Sequence, residues 1–441
     1  MKKILFFIAA LSIWCIASAQ EGQPLLLSID KENGQYHKGE TAQVFAALSG
    51  AEDAAFDILV TANGKTFKKE NGKVLKAGEK VKLFDFNFDT PTALMVSASP
   101  SGSKDNSWEA KLKNPAVGMI FEAEGFRPGF NAPADLEQFW KKQVAALRKC
   151  KMKGKLTPVE SNNSEVESFD MEVNMPEGRD VRGYLSMPKN RSPKSLPIII
   201  SLHGAGVRSS SLGTTVNWAK QGFISIDMNA HGILNGQPSS YYNDLSNGEL
   251  KNYRHEKVVD HKSFYFRLMF LRIQRALDYA TSLKEWDGKH IVAVGGSQGG
   301  LQTIAISAID QRVTAAFPQV PAFTDLAGFI NDHRNSWPGY GRDVEKSAEG
   351  SPERTILPYY DAACLATLVK CPIYFEAGLI DTTCPAECVF SAYNVTGSAD
   401  KTIRTFPWRR HGTKDMAPDI KKLWTESIDK DRTNTIKESV K

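Results

Sequence analysis

Cysteine is scarce in this sequence. Only six cysteines occur in 441 residues, too few for a small scaffold held together by disulfides. Cys384 and Cys388 are spaced like half of a metal site, but a zinc–thiolate site needs a second pair of ligands, and none lies nearby. We therefore expect buried free thiols and no bound metal, with a single disulfide as the alternative.

The sequence also lacks a strong excess of charge and, beyond residue 16, any long apolar run. Lysine and arginine number 55 against 50 aspartate and glutamate residues, so the net charge is +5. This excess is too small to indicate a nucleic acid or an anionic membrane as partner. No later apolar run approaches the ~20 residues that span a bilayer. With 41% hydrophobic and 24% charged residues, the composition is that of a globular protein.

The first 19 residues have the pattern of a secretory signal peptide. Lys2 and Lys3 precede an apolar run over residues 4–16, and Ala-Ser-Ala over 17–19 forms a cleavage site. Cys15 does not indicate a lipoprotein, because bulky Trp14 precedes it where a lipid-modification site has a small residue. We predict export to the periplasm or the medium. The exported chain would keep five cysteines and a net charge of +3, from 53 basic and 50 acidic residues.

A chain of this length is too long for one core, and two domains are expected. Over residues 20–115, short alternating runs are separated by turn signals, such as Phe56–Val60 followed by the hairpin dipeptide Asn63-Gly64. Lys82–Phe88 alternates with its phenylalanines on one face, and Thr92–Ser99 indicates another strand. The spacing predicts a small, immunoglobulin-like β-sandwich without a catalytic constellation.

Residues 116–436 have the alternating strands and helices of an α/β domain. A helix follows Asp135, which we expect to cap it. The runs Glu165–Val173 and Val181–Met187 indicate an antiparallel pair, and the later runs are apolar throughout, as buried parallel strands are. These later runs are Pro197–Leu202, Phe223–Met228, His290–Val294, Ala315–Val320, Pro372–Ala377 and the weaker Ile403–Pro407, with helices over Tyr265–Leu283 and Leu301–Ile309. The pattern predicts a doubly wound, mostly parallel sheet, in which functional residues collect at the carboxyl ends of the strands.

Residues 295–300, Gly-Gly-Ser-Gln-Gly-Gly, contain G-x-S-x-G between a buried strand and an apolar helix. In this setting the motif predicts a nucleophile elbow, in which Ser297 occupies a strained turn and side chains at Gly295 and Gly299 would collide with their surroundings. The alternatives are a phosphate-binding loop and an ordinary tight turn. A Walker loop needs Lys and then Ser or Thr after its last glycine, where this chain has Leu301. A dinucleotide fingerprint needs differently spaced glycines near the first strand.

A serine nucleophile needs a base and an orienting carboxylate, and α/β-hydrolases carry them in the order Ser, Asp or Glu, His. Of the eight histidines, six precede Ser297 and His333 lies in a polar insertion between strands. His411, after the last predicted strand, is therefore the predicted base. Asp381, just past the preceding strand, is the predicted acid, because Glu376 lies within that strand. The alternatives are a surface histidine and a loop-capping carboxylate.

Acyl transfer also needs N–H donors for the developing oxyanion. The backbone N–H of Gln298, directly after the nucleophile, is one expected donor. The second is expected after an early strand, where the segment Leu202-His203-Gly204-Ala205-Gly206 is similar to the H-G-G-G-type loop of esterases. We assign this donor to the N–H of Ala205; the alternative is a glycine-rich turn without a catalytic role.

Together these residues resemble the acetyl xylan esterase/cephalosporin C deacetylase family of carbohydrate esterases, over residues 130–430. The motifs that carry the resemblance are Asp135–Trp140, Gly295–Gly300, Leu357–Ala363, Lys370–Pro372, Gly378–Pro385 and Val389–Asn394. The resemblance implies an α/β-hydrolase that removes acetyl groups from xylose units and small acetylated oligosaccharides. It implies a triad of Ser297, His411 and Asp381 with Gln298 in the oxyanion hole, no metal or cofactor, and a homo-oligomeric assembly.

Three places depart from the family's pattern. Ala205 stands where the family usually has tyrosine, Asn229–Gly232 replaces an Arg-Gly-Gln loop, and Arg410–Gly412 replaces Gly-His-Glu. These changes keep the triad and alter the pocket, so the sequence leaves the acetylated sugar undetermined. A serine hydrolase of other specificity, such as a peptidase or a general carboxylesterase, is the alternative enzyme. A non-catalytic carbohydrate-binding protein, with the sandwich as its working module, is the alternative of another class.

Overall fold

The computed structural model describes residues 25–49, 52–102 and 116–413. The chain divides into two compact units, Met1–Glu122 and Ala123–Lys441. The predicted signal peptide and residues 414–436 of the predicted hydrolase domain lie outside the described residues. In the described ranges, no helix combines the length and the apolar character that crossing a bilayer requires.

The described part of the N-terminal unit contains eight strands in two sheets. They are β1 (Leu25–Ile29), β2 (Gln35–Tyr36), β3 (Ala42–Leu48), β4 (Ala54–Ala62), β5 (Lys65–Leu75), β6 (Lys80–Phe86), β7 (Thr92–Pro100) and β8 (Ala116–Phe121). One sheet has the order β1-β3-β6 and the other the order β2-β8-β7-β4-β5. This arrangement confirms the predicted β-sandwich.

The hairpin between β4 and β5 turns at the Asn-Gly dipeptide that the sequence singles out. Asn63 and Gly64 have φ of 48° and 80°, and a two-residue I′ turn needs such left-handed backbone at both positions. Along β6, Phe84 and Phe86 are buried. Phe88 lies past the end of that strand, with its ring 5.2 Å from that of Phe121. The alternating phenylalanines therefore contribute to the buried side of this unit.

Strand β8 lies beyond residue 115, where the sequence pattern ends the sandwich. All six of its residues are buried, and it pairs with β7 in antiparallel and with β2 in parallel orientation. The boundary between the two units accordingly falls after Glu122. An apolar run without alternation does not indicate which of two neighbouring cores it joins, so the sequence alone does not fix this boundary.

The C-terminal unit alternates strands and helices over its described residues. Its strands are β9 (Gly154–Val159), β10 (Val166–Val173), β11 (Val181–Pro188), β12 (Leu196–Leu202), β13 (Ile224–Met228), β14 (Trp286–Gly296), β15 (Ala315–Gln319), β16 (Ile373–Gly378) and β17 (Lys401–Phe406). Its helices are α1 (Leu136–Lys149), α2 (Leu212–Ala219), α3 (Ser239–Asn247), α4 (Tyr265–Ala280), α5 (Gln298–Ile309), α6 (Tyr340–Lys346), α7 (Pro352–Ile356), α8 (Ala362–Ala366) and α9 (Ala386–Val395).

These nine strands form one sheet in the order β17-β16-β15-β14-β12-β13-β11-β10-β9. The first six strands in this order, from β17 through β12 to β13, run parallel. Strands β11, β10 and β9 follow as antiparallel neighbours. The predicted antiparallel pair is β10–β11, with Val166 opposite Pro188 and Val173 opposite Val181. The predicted mostly parallel α/β sheet is thus confirmed. Its parallel strands bring their carboxyl ends to one edge, where such folds carry their sites.

Helices cover the centre of this sheet. Helix α5 packs against β12, β14 and β15, and α2 packs against β11 and β13. An apolar cluster on the sheet is formed by Ile199, Trp218, Phe223, Val292, Val294, Ala315 and Phe317. Burying one large apolar side chain stabilises the fold by about 1.5–3 kcal/mol. The strand ends that carry the site are therefore held by a dense core.

Helix α1 begins where the sequence predicts it, but Asp135 does not cap it as expected. The Asp135 side chain makes no hydrogen bond to the helix, because its carboxylate accepts the hydroxyl of Tyr359 instead. The buried Trp140 indole donates to the Tyr359 carbonyl at 3.1 Å. Asp135 therefore ties the start of α1 to a distant segment, and the prediction of a side-chain cap is wrong.

Candidate active site

Ser297 lies at the carboxyl end of β14, in the turn that leads into α5. Its φ of 58° and ψ of −122° place a non-glycine residue in a strained backbone region, at a cost on the order of 1–3 kcal/mol. The neighbouring main chain holds this conformation. The Ser297 N–H donates to the Gln319 carbonyl at 2.9 Å, and its carbonyl accepts the N–H of Ala322 at 3.0 Å. This is the backbone geometry expected of a nucleophile elbow.

Two glycines of the motif make room for this turn. A Cβ built on Gly295 would lie 2.5 Å from the carbonyl oxygens of Gly299 and Leu202. A Cβ built on Gly299 would lie 1.9 Å from the Leu202 oxygen. Both distances are far below a carbon–oxygen contact, so only hydrogen fits at either position. The glycines therefore let α5 begin directly against the end of β12.

His411 lies between Asp381 and Ser297. Its Nδ1 is 2.7 Å from Asp381 Oδ2, and its Nε2 is 2.9 Å from Ser297 Oγ. Because a carboxylate only accepts hydrogen bonds, Nδ1 carries the proton and Nε2 can accept that of the serine. Asp381 is fully buried, and its other oxygen accepts the N–H groups of Thr383 at 2.7 Å and Cys384 at 2.9 Å. The structure thus brings the three predicted side chains into one hydrogen-bonded chain.

The segment that carries His411 is fastened to the strand that precedes Asp381. Arg409 Nη1 lies 2.8 Å from Glu376 Oε2, and the Glu376 side chain is only 2% exposed. Burial raises the pKa of Glu376, while the charge of Arg409 acts in the opposite direction. The Arg409 guanidinium also lies 3.4 Å from the centre of the Phe406 ring, a favourable cation–π arrangement. Glu376, which the sequence suggested only as a strand residue, therefore anchors the histidine loop.

The loop after β12 passes beside Ser297 on the other side. A Cβ built on Gly204 would lie 3.6 Å from the Ser297 Cβ, so the peptide that carries the Ala205 N–H runs close to the nucleophile. Within the described residues, neither the Ala205 N–H nor the Gln298 N–H makes a hydrogen bond. The structure therefore places both predicted oxyanion donors on backbone that flanks Ser297.

The cysteines at positions 150, 364, 371, 384 and 388 are free thiols. Cys364, Cys384 and Cys388 are buried, and burial raises the pKa of each thiol well above its ordinary value. Among the described residues, no three histidine, cysteine or acidic side chains are grouped so that they could hold a metal ion. Cys384 and Cys388 accordingly pack as reduced thiols, and the alternative of a disulfide between them is not realised.

Two side chains without a predicted role in the site hold the loop after β12. The Nδ1–H of His203, which precedes the nucleophile and so does not fit the order expected of the base, donates to the Gly204 carbonyl at 2.7 Å. The hydroxyl of Tyr253, a residue between α3 and α4, accepts the Gly206 N–H at 3.0 Å. Tyr253 belongs to no motif, and only the fold brings it to this loop.

The sequence profile of the acetyl xylan esterase (AXE1) family matches residues 118–424. This chain belongs to that family. It is therefore a carboxylic ester hydrolase, and the family resemblance drawn from the sequence motifs is confirmed. The esterase is 27% identical to the acetyl esterase Axe7A of Xylanibacter ruminicola over 318 aligned residues. The alignment covers 70% of each chain.

Two solved structures share the fold of this esterase. The acetyl xylan esterase from Paenibacillus sp. R4 has a TM-score of 0.58 and 21% identity, covering 70% of this chain and 98% of that one. Acetyl xylan esterase 1 from Thermoanaerobacterium sp. has a TM-score of 0.55 and 20% identity, covering 68% of this chain and 96% of that one. At these identities the likeness concerns the fold, and it confirms the α/β-hydrolase class.

Proposed function

We propose that this esterase removes O-acetyl groups from acetylated xylan or related oligosaccharides. One observation carries the proposal: in a member of the acetyl xylan esterase family, His411 is hydrogen-bonded to both Ser297 and Asp381. The relatives support an acetyl group as the acyl part, since one is named an acetyl esterase and two are named acetyl xylan esterases.

In the first half-reaction, Ser297 Oγ attacks the ester carbonyl carbon while His411 Nε2 takes the hydroxyl proton. Asp381 stays ionised, holds the Nδ1–H and stabilises the imidazolium that forms. The N–H groups of Gln298 and Ala205 donate to the developing oxyanion, and one such donor is worth about 2.7–4 kcal/mol. The imidazolium then protonates the sugar oxygen as the carbon–oxygen bond breaks, which leaves an acetyl group on the serine.

In the second half-reaction, His411 takes a proton from water, and the resulting hydroxide attacks the acetyl carbonyl carbon. The same two N–H groups stabilise this second oxyanion. Its collapse returns the proton to Ser297 Oγ and releases acetate. An acetyl group offers little surface to recognise, so selectivity among substrates has to come from contacts to the sugar.

Acetate release tests the proposed function. The parent protein should release acetate from acetylated xylo-oligosaccharides and from p-nitrophenyl acetate, and Ser297→Ala should lower kcat by about 10⁴- to 10⁶-fold. Ser282→Ala, which removes an exposed hydroxyl, serves as the control and should keep full activity. Absence of acetate release from the folded parent protein would contradict the proposal. Stronger activity on long acyl chains or peptides would replace it with another specificity.

We further propose that the esterase acts after export, in the periplasm or outside the cell. The support is the signal-peptide pattern over residues 1–19. Fractionation and N-terminal sequencing of the native protein test it. We expect a mature chain that begins near residue 20 outside the cytoplasm, whereas an uncleaved chain in the cytoplasm would contradict export.

A further inference from the structure

The peptide group that carries the Ala205 N–H is fixed through its carbonyl oxygen. That oxygen belongs to Gly204 and accepts His203 Nδ1–H at 2.7 Å and Arg208 Nη2 at 3.3 Å. Because a trans peptide is planar, its N–H points opposite to its C=O. Fixing the Gly204 carbonyl therefore fixes the direction of the Ala205 N–H. The Ala205 side chain, a single methyl group, has no polar atom with which to do so.

The next peptide group is tied to the other side of the site by one tyrosine. The Gly206 N–H donates to the Tyr253 hydroxyl at 3.0 Å, and this hydroxyl donates to Gln298 Oε1 at 3.1 Å. Tyr253 is 3% exposed and Gln298 is fully buried. Within the described residues, Gln298 Nε2 has no hydrogen-bond partner, so the bond to Tyr253 anchors the amide end of this side chain. A single hydroxyl thus links the segments that carry the two predicted oxyanion donors.

A buried histidine, His231, holds the same loop through the Gly206 carbonyl. His231 Nε2 lies 3.1 Å from the Gly206 carbonyl, so this nitrogen carries the proton, and Nδ1 accepts the hydroxyl of Tyr265. Burial lowers the pKa of His231 to about 3 and that of His203 to about 4. Both imidazoles are therefore neutral at neutral pH, and each keeps one donor and one acceptor for these contacts.

We propose that Tyr253 is a positioning residue of the oxyanion hole, which sets the separation of the Ala205 and Gln298 N–H groups. The proposal rests on the proposed acyl-transfer function, in which both groups must donate to the same oxygen at about 2.7–3.1 Å. Without the hydroxyl, Gly206 and the Gln298 side chain lose their common partner, so the contacts that remain hold the Ala205 loop but no longer tie it to Gln298. Tyr253 acts through these neighbours and forms no bond with the reacting ester.

Tyr253→Phe tests this role, because it removes one oxygen and keeps the ring. The matched control is Tyr242→Phe. Tyr242 is also buried, and its hydroxyl also accepts one backbone N–H, from Gln237 at 3.0 Å, and donates once, to the Leu234 carbonyl at 2.9 Å. The readouts are kcat and KM for p-nitrophenyl acetate, the Kd of phenylboronic acid and the thermal midpoint. A boronic acid forms a tetrahedral, anionic adduct on serine and so reports on the oxyanion hole.

We expect Tyr253→Phe to lower kcat by about 10- to 100-fold, to keep KM within threefold and to weaken boronate binding in parallel with kcat. Tyr242→Phe should lower the thermal midpoint by about as much as Tyr253→Phe does, but it should change kcat less than threefold. A Tyr253→Phe kcat within threefold of the parent, unchanged boronate affinity or an equal loss of kcat in Tyr242→Phe would each overturn the proposal.

A second variant decides the matter if Tyr253→Phe does not fold. Gln298→Met breaks the same bond from the other side and is judged by the same criteria. The double variant of Tyr253→Phe and Gln298→Met should be no slower than the slower single variant, because both remove one shared contact; additive losses would contradict the proposal. If the parent itself releases no acetate, the proposed function fails. If the parent is active and the variants are too, only the role of Tyr253 fails.

Discussion

The two sides of Ser297 are built from different kinds of contact. On the β16–β17 side, the contacts are made by carboxylates: Asp381 accepts the Nδ1–H of His411, and Glu376 pairs with Arg409. On the β12–β13 side, the loop is held mainly by neutral hydroxyls and imidazoles, with one exposed cation, Arg208, at its edge. A histidine that takes up a proton is stabilised by a carboxylate beside it. A backbone N–H of the oxyanion hole only has to point toward the developing oxyanion. A buried carboxylate next to the oxyanion donors would instead accept their hydrogen bonds.

The largest effect is expected at Asp381, the carboxylate that bonds His411. Asp381→Asn keeps the size of the side chain but offers His411 an amide in place of an acceptor-only carboxylate. The imidazole then loses the protonation pattern that leaves Nε2 free, and kcat should fall by about 10⁴-fold. Steady-state hydrolysis of p-nitrophenyl acetate measures the effect. Asp89→Asn, at an exposed position in the N-terminal unit, should keep parental activity.

Activity within tenfold of the parent in Asp381→Asn would mean that His411 is oriented by its loop alone. The two sides of the site would then hold their residues in the same way, without help from a charge.

A smaller effect is expected where α5 touches the end of β12. In Gly299→Ala, the new Cβ would lie 1.9 Å from the Leu202 oxygen and 3.1 Å from the His203 carbon. Because both atoms are backbone, the strand end and the loop behind it have to shift. We expect a loss of about 1–3 kcal/mol in the free energy of unfolding and about a 10²-fold loss in kcat.

Gly213→Ala is the matched control for this substitution. Its Cβ would meet only Ser211 Oγ, at 3.9 Å, so stability and kcat should stay at the parental level. Denaturant unfolding and ester hydrolysis measure both variants. A Gly299→Ala protein with parental kcat would show that the position of the β12 loop does not matter for turnover.

The three side chains that form the hydrogen-bonded chain could be predicted from the sequence, and the residues that hold them in place could not. Ser297, Asp381 and His411 follow from a motif and from the order of the strands, which the chain displays directly. Tyr253 and Arg409 owe their contacts to packing between segments far apart in the chain, and neither lies in a recognisable pattern. The strand bounds show the same limit. The apolar run predicts that β14 starts at His290, whereas pairing of Trp286 with Leu196 extends it to Trp286.

A more modest effect is expected from the ion pair behind the histidine loop. Arg409→Met keeps an apolar stem against Phe406 but leaves the buried Glu376 without its cation. Breaking a buried pair in this way costs about 3 kcal/mol in the free energy of unfolding, and the loosened loop should lower kcat by about tenfold. Adding Glu376→Gln removes the unpaired charge and should restore most of the stability but not the activity.

The control for the ion pair is Lys141→Met. It breaks an exposed pair with Glu137 on the surface of α1, where ion pairs contribute little, and it should leave both measurements at the parental level. If Arg409→Met matches this control in denaturant unfolding, the pair does not fasten the loop.

The smallest effect concerns the neutral side and its response to pH. The pKa of His231 is lowered to about 3 by burial, whereas in the unfolded chain it returns to about 6.5. Between these values the unfolded chain binds a proton that the folded protein does not. The free energy of unfolding therefore decreases as the pH falls from 6.5, by at most about 1.4 kcal/mol per pH unit for this one group.

His231→Gln isolates this contribution, because glutamine can still donate to the Gly206 carbonyl and accept from Tyr265 but does not titrate. We expect parent and variant to have similar thermal midpoints at pH 7 and the parent to lose more of its stability between pH 6.5 and 4.5. Asp227 and Asp361, whose pKa burial raises to about 7, oppose this trend. They bind protons in the folded state and favour it as the pH falls, but they do so equally in both proteins. The difference between the two pH profiles therefore reports His231 together with its electrostatic coupling to His203, and parallel profiles would mean that the loop is not held by a neutral imidazole.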